Sequence, residues 1–214
     1  MFELQHTDQL ARAGTMHTDH GSVQTPVFMA VGTQGTVKGC TPDQLRDAGV
    51  TVVLGNTYHL MLRPGDETVA ALGGLHAMSR WQGPMLTDSG GYQVFSMSDT
   101  NEVTEDGCTF KSHLDGNNEL LTPERSMRVQ HNLGADIVMQ LDDVPKLPAT
   151  VEREADTMRR SIRWLDRCMA ALPSHSAQGK RQNLFGIVQG GTSEALRVES
   201  ARELSARALP GYAI

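Results

Sequence analysis

Three features of the sequence predict a parallel α/β fold. Short, nearly continuous apolar runs alternate with stretches of helical spacing from about residue 25 onward, the pattern of strands covered on both faces. Thr-Pro pairs at 41–42 and 122–123 mark helix starts, because a capping hydroxyl followed by a proline without an N–H suits the first turn. The last residues, 211–214, open a further apolar strand. Such units build either a doubly wound sheet or a (βα)8 barrel. A barrel takes about 250 residues. This chain has 214, with five βα units and the opening of a sixth strand, so the barrel alternative is an incomplete barrel.

The elements follow in order. Residues 2–27, with an Asp19-His20-Gly21 turn, read as a hairpin capping one end of the fold. Residues 25–31 (TPVFMAV) read as a buried strand. Thr41, Pro42 and Gln44 make a capping box for a short helix that stops near Gly49. Residues 50–54 form the next strand, 64–72 a helix stopped by Gly73-Gly74, and 84–87 a third strand. Asp115-Gly116 is a hairpin turn signal, so 102–121 reads as an inserted β-hairpin. Thr122-Pro123 opens a helix that Gly134 ends. Residues 135–141 are a strand. The helix over 151–172 repeats Ala155, Met158, Ile162, Leu165 and Met169 at three- and four-residue steps, so that face points inward. A loop over 173–182, a strand over 184–188 and a helix over 193–208 lead to the final strand.

Composition narrows the class. Hydrophobic residues are 39% and charged residues 21%, which suits a folded soluble chain rather than a disordered one. The net charge of −6 excludes a histone-like binder but not a local basic patch. No apolar run approaches the ~20 residues of a membrane helix. The opening MFELQHTDQL carries acids and no apolar core, unlike a signal peptide. Cys40, Cys108 and Cys168 are at least sixty positions apart, which makes neither a disulfide framework nor a metal-binding pair. The expected setting is the cytoplasm.

Polar residues follow directly on three predicted strands: Asp88, Asp142 and Gln189. In parallel α/β folds ligands sit at the carboxyl ends of strands, so three separate loops point to one shared site. Each has a plainer reading. Asp88 can cap a turn, Asp142 with Asp143 can be a solvated acidic pair, and Gln189-Gly190-Gly191 can be a tight turn with positive φ. Their matching placement on successive units favours function. Elsewhere, Gly32 to Gly39 lacks the Gly-Lys-Ser/Thr of a phosphate loop. The eight histidines show no HxH or HxxxH pair, and no Gly-x-Ser-x-Gly elbow occurs. His59 reads as a packed histidine rather than a base.

Five motifs, in order, are similar to those of the tRNA-guanine transglycosylases. They are Gly35-Thr-Val-Lys-Gly39; Gly55-Asn-Thr-Tyr-His-Leu60 with Arg63-Pro-Gly65; Thr87-Asp-Ser-Gly-Gly-Tyr-Gln93; Met139-Gln-Leu-Asp142; and Gly186-Ile-Val-Gln-Gly-Gly191. The resemblance runs the length of the chain and implies a (βα)8 barrel with inserted hairpins, here the part ending after about five βα units. It also implies a pentosyltransferase that exchanges guanine at the tRNA wobble position (GUN anticodons) for queuine or a 7-deazaguanine precursor, in queuosine biosynthesis. The exchange is a double displacement through a covalent RNA intermediate.

The resemblance carries over residue by residue. Asp88 matches the general acid/base. Ser89, Gly90, Gly91 and Tyr92 match the loop around the base. Asp142 and Gln189, with the Gly190 N–H, match the groups that read its edge. Asn56 and Gln93 match ribose contacts. Val144, where precursor-inserting bacterial members carry Cys, points with Ser161–Cys168 and Gln182–Phe185 to the queuine-using type. The resemblance places the nucleophilic aspartate, the three-Cys-one-His zinc set and the basic tRNA surface beyond Ile214, and implies a homodimer. The 214 residues alone are therefore expected to be inactive, and open strand edges to aggregate. The competing readings are a non-catalytic base- or tRNA-binding subunit of the same family, a relative acting on the tRNA core, and an unrelated barrel lyase or aldolase. The last would need a phosphate loop or a strand-end lysine that is not evident.

Overall fold

The computed structural model describes residues 2–97 and 101–214. Its first three strands, β1 (Phe2–Asp8), β2 (Ala11–Thr18) and β3 (Gly21–Thr25), form an antiparallel sheet, where the sequence reading had a hairpin. The apolar run at 25–31 is divided. Thr25 completes β3 opposite Gly14, Pro26 has no N–H to offer a ladder, and β4 begins only at Met29 (Met29–Gly32).

Then follow α1 (Pro42–Asp47), β5 (Val52–Gly55), α2 (Thr57–Leu62), α3 (Asp66–Ala71), α4 (Gly74–Ser79), β6 (Met85–Thr87) and α5 (Gly91–Met97). The capping box of α1 forms as expected, with Thr41 and Gln44 each bonding the other's backbone N–H. Helices α2, α4 and α5 were not anticipated. Each is six or seven residues long, too short to establish a period. The insert is a three-stranded antiparallel sheet, β7 (Glu102–Val103), β8 (Cys108–Lys111) and β9 (Asn118–Leu121), rather than a two-stranded hairpin. The remaining elements are α6 (Pro123–Leu133), β10 (Ile137–Met139), α7 (Val151–Ala171), β11 (Asn183–Ile187), α8 (Glu194–Ser205) and β12 (Gly211–Ala213).

Six parallel strands make the central sheet, in the order β12-β11-β10-β6-β5-β4. The order follows the chain without reversal, whereas a doubly wound sheet reverses at its switch point. The sheet is not closed. Its outer strands β4 and β12 each pair on one side, and Phe28, Val31, Tyr212 and Ile214 near these edges are exposed.

Alternation along the strands divides the core. Val53, Met85, Val138 and Leu184 pack towards the helices, with Leu133, Met158, Trp164 and Leu165. Val52, Leu86, Ile137 and Met139 face the other way and are covered by Met16 and Val23 of the N-terminal sheet. On α7, Met158, Ile162 and Leu165 are buried as expected, but Met169 is 40% exposed and Trp164 and Cys168 take the inward positions. The predicted face drifts by part of a turn over a helix of this length.

A buried carboxylate clips the N-terminal sheet to the amino ends of the parallel strands. Asp136, just before β10, accepts from the backbone N–H of Met85 at 2.9 Å. It also bonds the His20 ring at 2.9 Å and lies 3.4 Å from His76 Nε2. Burial pushes the Asp136 carboxyl up, but the bonds from His20, His76 and Met85 outweigh it and hold the group below the usual carboxylate range. The three side chains resemble a metal set. Yet the two imidazoles stack 3.5 Å apart and nearly parallel, and one ion cannot lie in both ring planes, where the nitrogen lone pairs point.

Candidate active site

The opposite, carboxyl ends of the strands gather the predicted polar residues. β5 ends at Gly55, and Asn56 caps α2 by accepting from His59 N at 3.1 Å. The same side chain donates from Nδ2 to Asp88 Oδ2 at 2.5 Å. Asp88, directly after β6, also accepts from the backbone N–H groups of Thr57 at 2.8 Å and Gly90 at 3.2 Å. The amide of Asn56 is thus committed to fixing this carboxylate. Burial pushes the Asp88 carboxyl up to about 7; the Thr57 and Gly90 N–H groups oppose this, and the nearby Asp142 charge adds to it. A carboxyl titrating near neutrality is the kind a proton-transfer step uses.

Asp142 follows β10 by three residues and is buried. The hydroxyl of Ser89 donates to its Oδ1 at 3.1 Å, and the amide of Gln189 donates to its Oδ2 at 2.7 Å. Burial pushes its carboxyl up to about 6; Ser89 and Gln189 oppose the shift and Asp143 reinforces it. Asp88, Ser89, Asp142 and Gln189, from three separate loops, therefore form one connected group.

The plainer reading of Asp142 and Asp143 as a solvated acidic pair does not hold. Asp143 is fully buried and paired with Arg160, because the chain turns inward under the first half of α7.

Two glycines allow this approach. A Cβ on Gly91 would lie 3.0 Å from the Asp142 carbonyl oxygen and 3.2 Å from both Asp142 Oδ1 and Ser89 Oγ. Gly190, at φ +124°, would drive a Cβ to 2.7 Å from the backbone of Arg197 on α8. Its freedom lets Gln189 turn towards Asp142 while the loop packs on the helix.

Tyr92 and Val144 lie to one side. With Phe95, Val103, Lys146 and Arg153 they line a cavity of about 620 Å³ whose wall does not include Asp88, Asp142 or Gln189. Tyr92, on α5, is 64% exposed. Gln93, the next residue, keeps a buried Oε1 without a hydrogen-bond partner among the described residues. His59 packs edge-on between Tyr58 and His113, as a packed histidine would.

Two supporting residues were missed by sequence reasoning. Gln130 of α6 accepts from Met139 N and Thr87 Oγ1 at 2.9 Å and donates to the Met139 carbonyl at 2.9 Å. Ser126, one turn earlier, donates to the Ser89 carbonyl at 2.9 Å. Their signal was a polar residue at each of two core-facing positions four apart on one helix.

Two raised carboxyls and an amide thus converge at the carboxyl ends of parallel strands, where α/β folds hold their ligands. The family model described as queuine tRNA-ribosyltransferase matches residues 7–214, and the chain belongs to that family. It is 51% identical over 216 residues to the queuine tRNA-ribosyltransferase of Cereibacter sphaeroides, with all of this chain and 56% of that protein aligned. The corresponding protein of Gluconacetobacter diazotrophicus is 53% identical over 204 residues, covering 95% of this chain and 52% of the relative. That of Zymomonas mobilis is 49% identical over 213 residues, covering all of this chain and 55% of the relative. The chain spans about half the length of the curated relatives it matches.

The residues described do not compose a three-Cys-one-His set. Cys40 is exposed, Cys108 and Cys168 are buried, and among the described residues the sole convergent group of ligating side chains is the His20–His76–Asp136 clip.

Proposed function

We propose that this chain carries the base-binding and proton-transfer part of a tRNA-guanine transglycosylase, its six strands forming an arc of a (βα)8 barrel. The observation that carries the reading is the Asp142–Gln189 pair. Guanine presents N1–H and the exocyclic amine as adjacent donors and O6 as an acceptor. An ionised Asp142 has two acceptor oxygens for those donors. Ser89 and Gln189 hold these oxygens in the structure; an entering base displaces the Gln189 amide, which then donates to O6 beside the Gly190 N–H. Adenine offers the wrong pattern and leaves a buried carboxylate unpaired, at a cost of several kcal/mol, roughly. Tyr92 stacks on the base, worth roughly 1–3 kcal/mol, once the nucleotide has left its own stack.

Asp88 serves as general acid/base at the departing and arriving bases. Asn56 holds its carboxyl, and Gln93 offers its open amide oxygen to the ribose. The displacement at ribose C1′ parallels that of a retaining glycosidase, with the attacking carboxylate implied beyond Ile214. The same resemblance supports tRNA as partner, a zinc-bearing subdomain, a homodimer and a cytoplasmic setting.

The test is base exchange into tRNA by the full-length enzyme across pH. The rate profile is expected to bend near 7 and to lose that limb in D88N, with exchange reduced by about a thousandfold; for a single general acid/base the usual factor is about 10²–10⁴. An unchanged profile in D88N removes Asp88 from the chemistry.

The resemblance at Val144, where precursor-inserting bacterial members carry Cys, supports queuine as the incoming base. Full-length enzyme offered both bases is expected to take up queuine faster. A clear preference for the aminomethyl precursor overturns this assignment.

A further inference from the structure

Asp142 and Asp143 are consecutive, and both are buried, yet their surroundings differ in kind. Asp142 meets neutral donors, the Ser89 hydroxyl and the Gln189 amide. The cations go to Asp143: Arg160 Nη1 bonds its Oδ2, and Arg153 Nη2 lies 3.9 Å from its Oδ1. Arg160 is itself largely buried and also reaches Glu105 at 3.5 Å. The backbone N–H of Asp143 donates to Ser161 Oγ at 2.9 Å, so α7 fixes both the carboxylate and its counter-ion.

We propose that Arg160, acting through Asp143, is a positioning residue for base selection: it decides which hydrogen-bond pattern Asp142 presents. The proposal rests on the reading of Asp142 as the group that meets the base edge. Two adjacent buried carboxylates cannot both stay ionised unless one is neutralised by a partner. With Arg160 in place, Asp143 is half of an ion pair, and Asp142 remains a double acceptor suited to the paired donors of guanine. Without it, the uncompensated Asp143 charge beside Asp142 favours the protonated form of Asp142, which is one donor and one acceptor. That pattern suits adenine, with its N6 amine and N1 lone pair.

The other groups around the pair do not replace Arg160. Asp88 adds like charge to Asp142. The buried Cys168 and Cys108 thiols, on α7 and β8, are pushed up to about 12 and stay neutral. Glu105 competes for the Arg160 guanidinium, and the more exposed Arg153 is too distant for a hydrogen bond.

The test is guanine binding to the full-length enzyme by calorimetry between about pH 5 and 8.5, with adenine as comparator, in wild type, D142N, R160M, D143N and the R160M/D143N double variant. In R160M the acid limb of guanine binding is expected to move up by about one pH unit or more, with the guanine-to-adenine preference reduced below it. Removing the stranded charge in R160M/D143N is expected to restore the wild-type limb. D143N alone is expected to move the limb down, which keeps the proposal testable if R160M does not fold. An unmoved limb in folded R160M, an unrestored double variant, or an unmoved limb in D143N overturns it. If D142N binds guanine like wild type, the reading of Asp142 itself fails, and that result is separate.

Discussion

Replacing Asp142 with asparagine is expected to weaken guanine binding by about a hundredfold or more. The carboxylate gives the base edge two charged acceptors in a buried setting, and such bonds contribute roughly 1.5–3 kcal/mol each. Asparagine keeps one oxygen and turns an NH2 towards the second guanine donor, so one bond is lost and a donor–donor contact replaces it. A combined loss of about 3–4 kcal/mol corresponds to roughly 10²–10³ in affinity. The sign with pH follows from the Asp142 carboxyl, which burial pushes up to about 6. Binding needs the ionised form, so wild-type affinity falls as pH drops through about 6, and D142N has no such limb. Calorimetric titration of both proteins at several pH values checks this. The substitution is not expected to harm the fold at neutral pH: a carboxyl raised above its unfolded value costs stability when ionised, and removing it relieves that cost.

Asp136 gives the opposite result. D136A is expected to lower the free energy of unfolding by about 3–5 kcal/mol, the usual range when one member of a buried charged cluster is deleted. The loss strands the Met85 N–H and both imidazoles, and it frees the turn that holds the N-terminal sheet on the strands. The folded-state carboxyl lies below its unfolded value. Its contribution is therefore complete above the ordinary carboxylate range and is lost as pH falls below it. Urea unfolding of wild type at neutral pH and in mild acid should show that decline, and D136A should lack it. A D136A midpoint equal to wild type would mean the clip holds nothing. The two aspartates thus differ in kind, one held ionised to stabilise the fold and one burdened by burial for its chemistry.

Much of this was legible in the sequence because the signals were local and redundant. Thr41-Pro42 and Thr122-Pro123 begin helices where their capping chemistry requires, and the apolar runs became the parallel strands. The convergence of Asp88, Asp142 and Gln189 was legible from position alone, one polar residue after each predicted strand. What escaped was nonlocal. Whether Asp143 faced water or Arg160 depended on a helix residue 17 positions away. Asn56, read as facing a ribose, spends its amide on Asp88, a contact across 32 positions. The role of Gln130 as a stitch between β6 and β10 required knowing which strands were neighbours. Short helices such as α2 and α5 left no period to read.

The most direct test is a crystal structure of the protein with guanine bound. The account predicts the base with N1 and N2 within hydrogen-bond distance of the two Asp142 oxygens, the Gln189 amide turned to O6, and Asp88 within reach of the imidazole edge. Guanine seated elsewhere, with the Gln189–Asp142 bond intact, would contradict it.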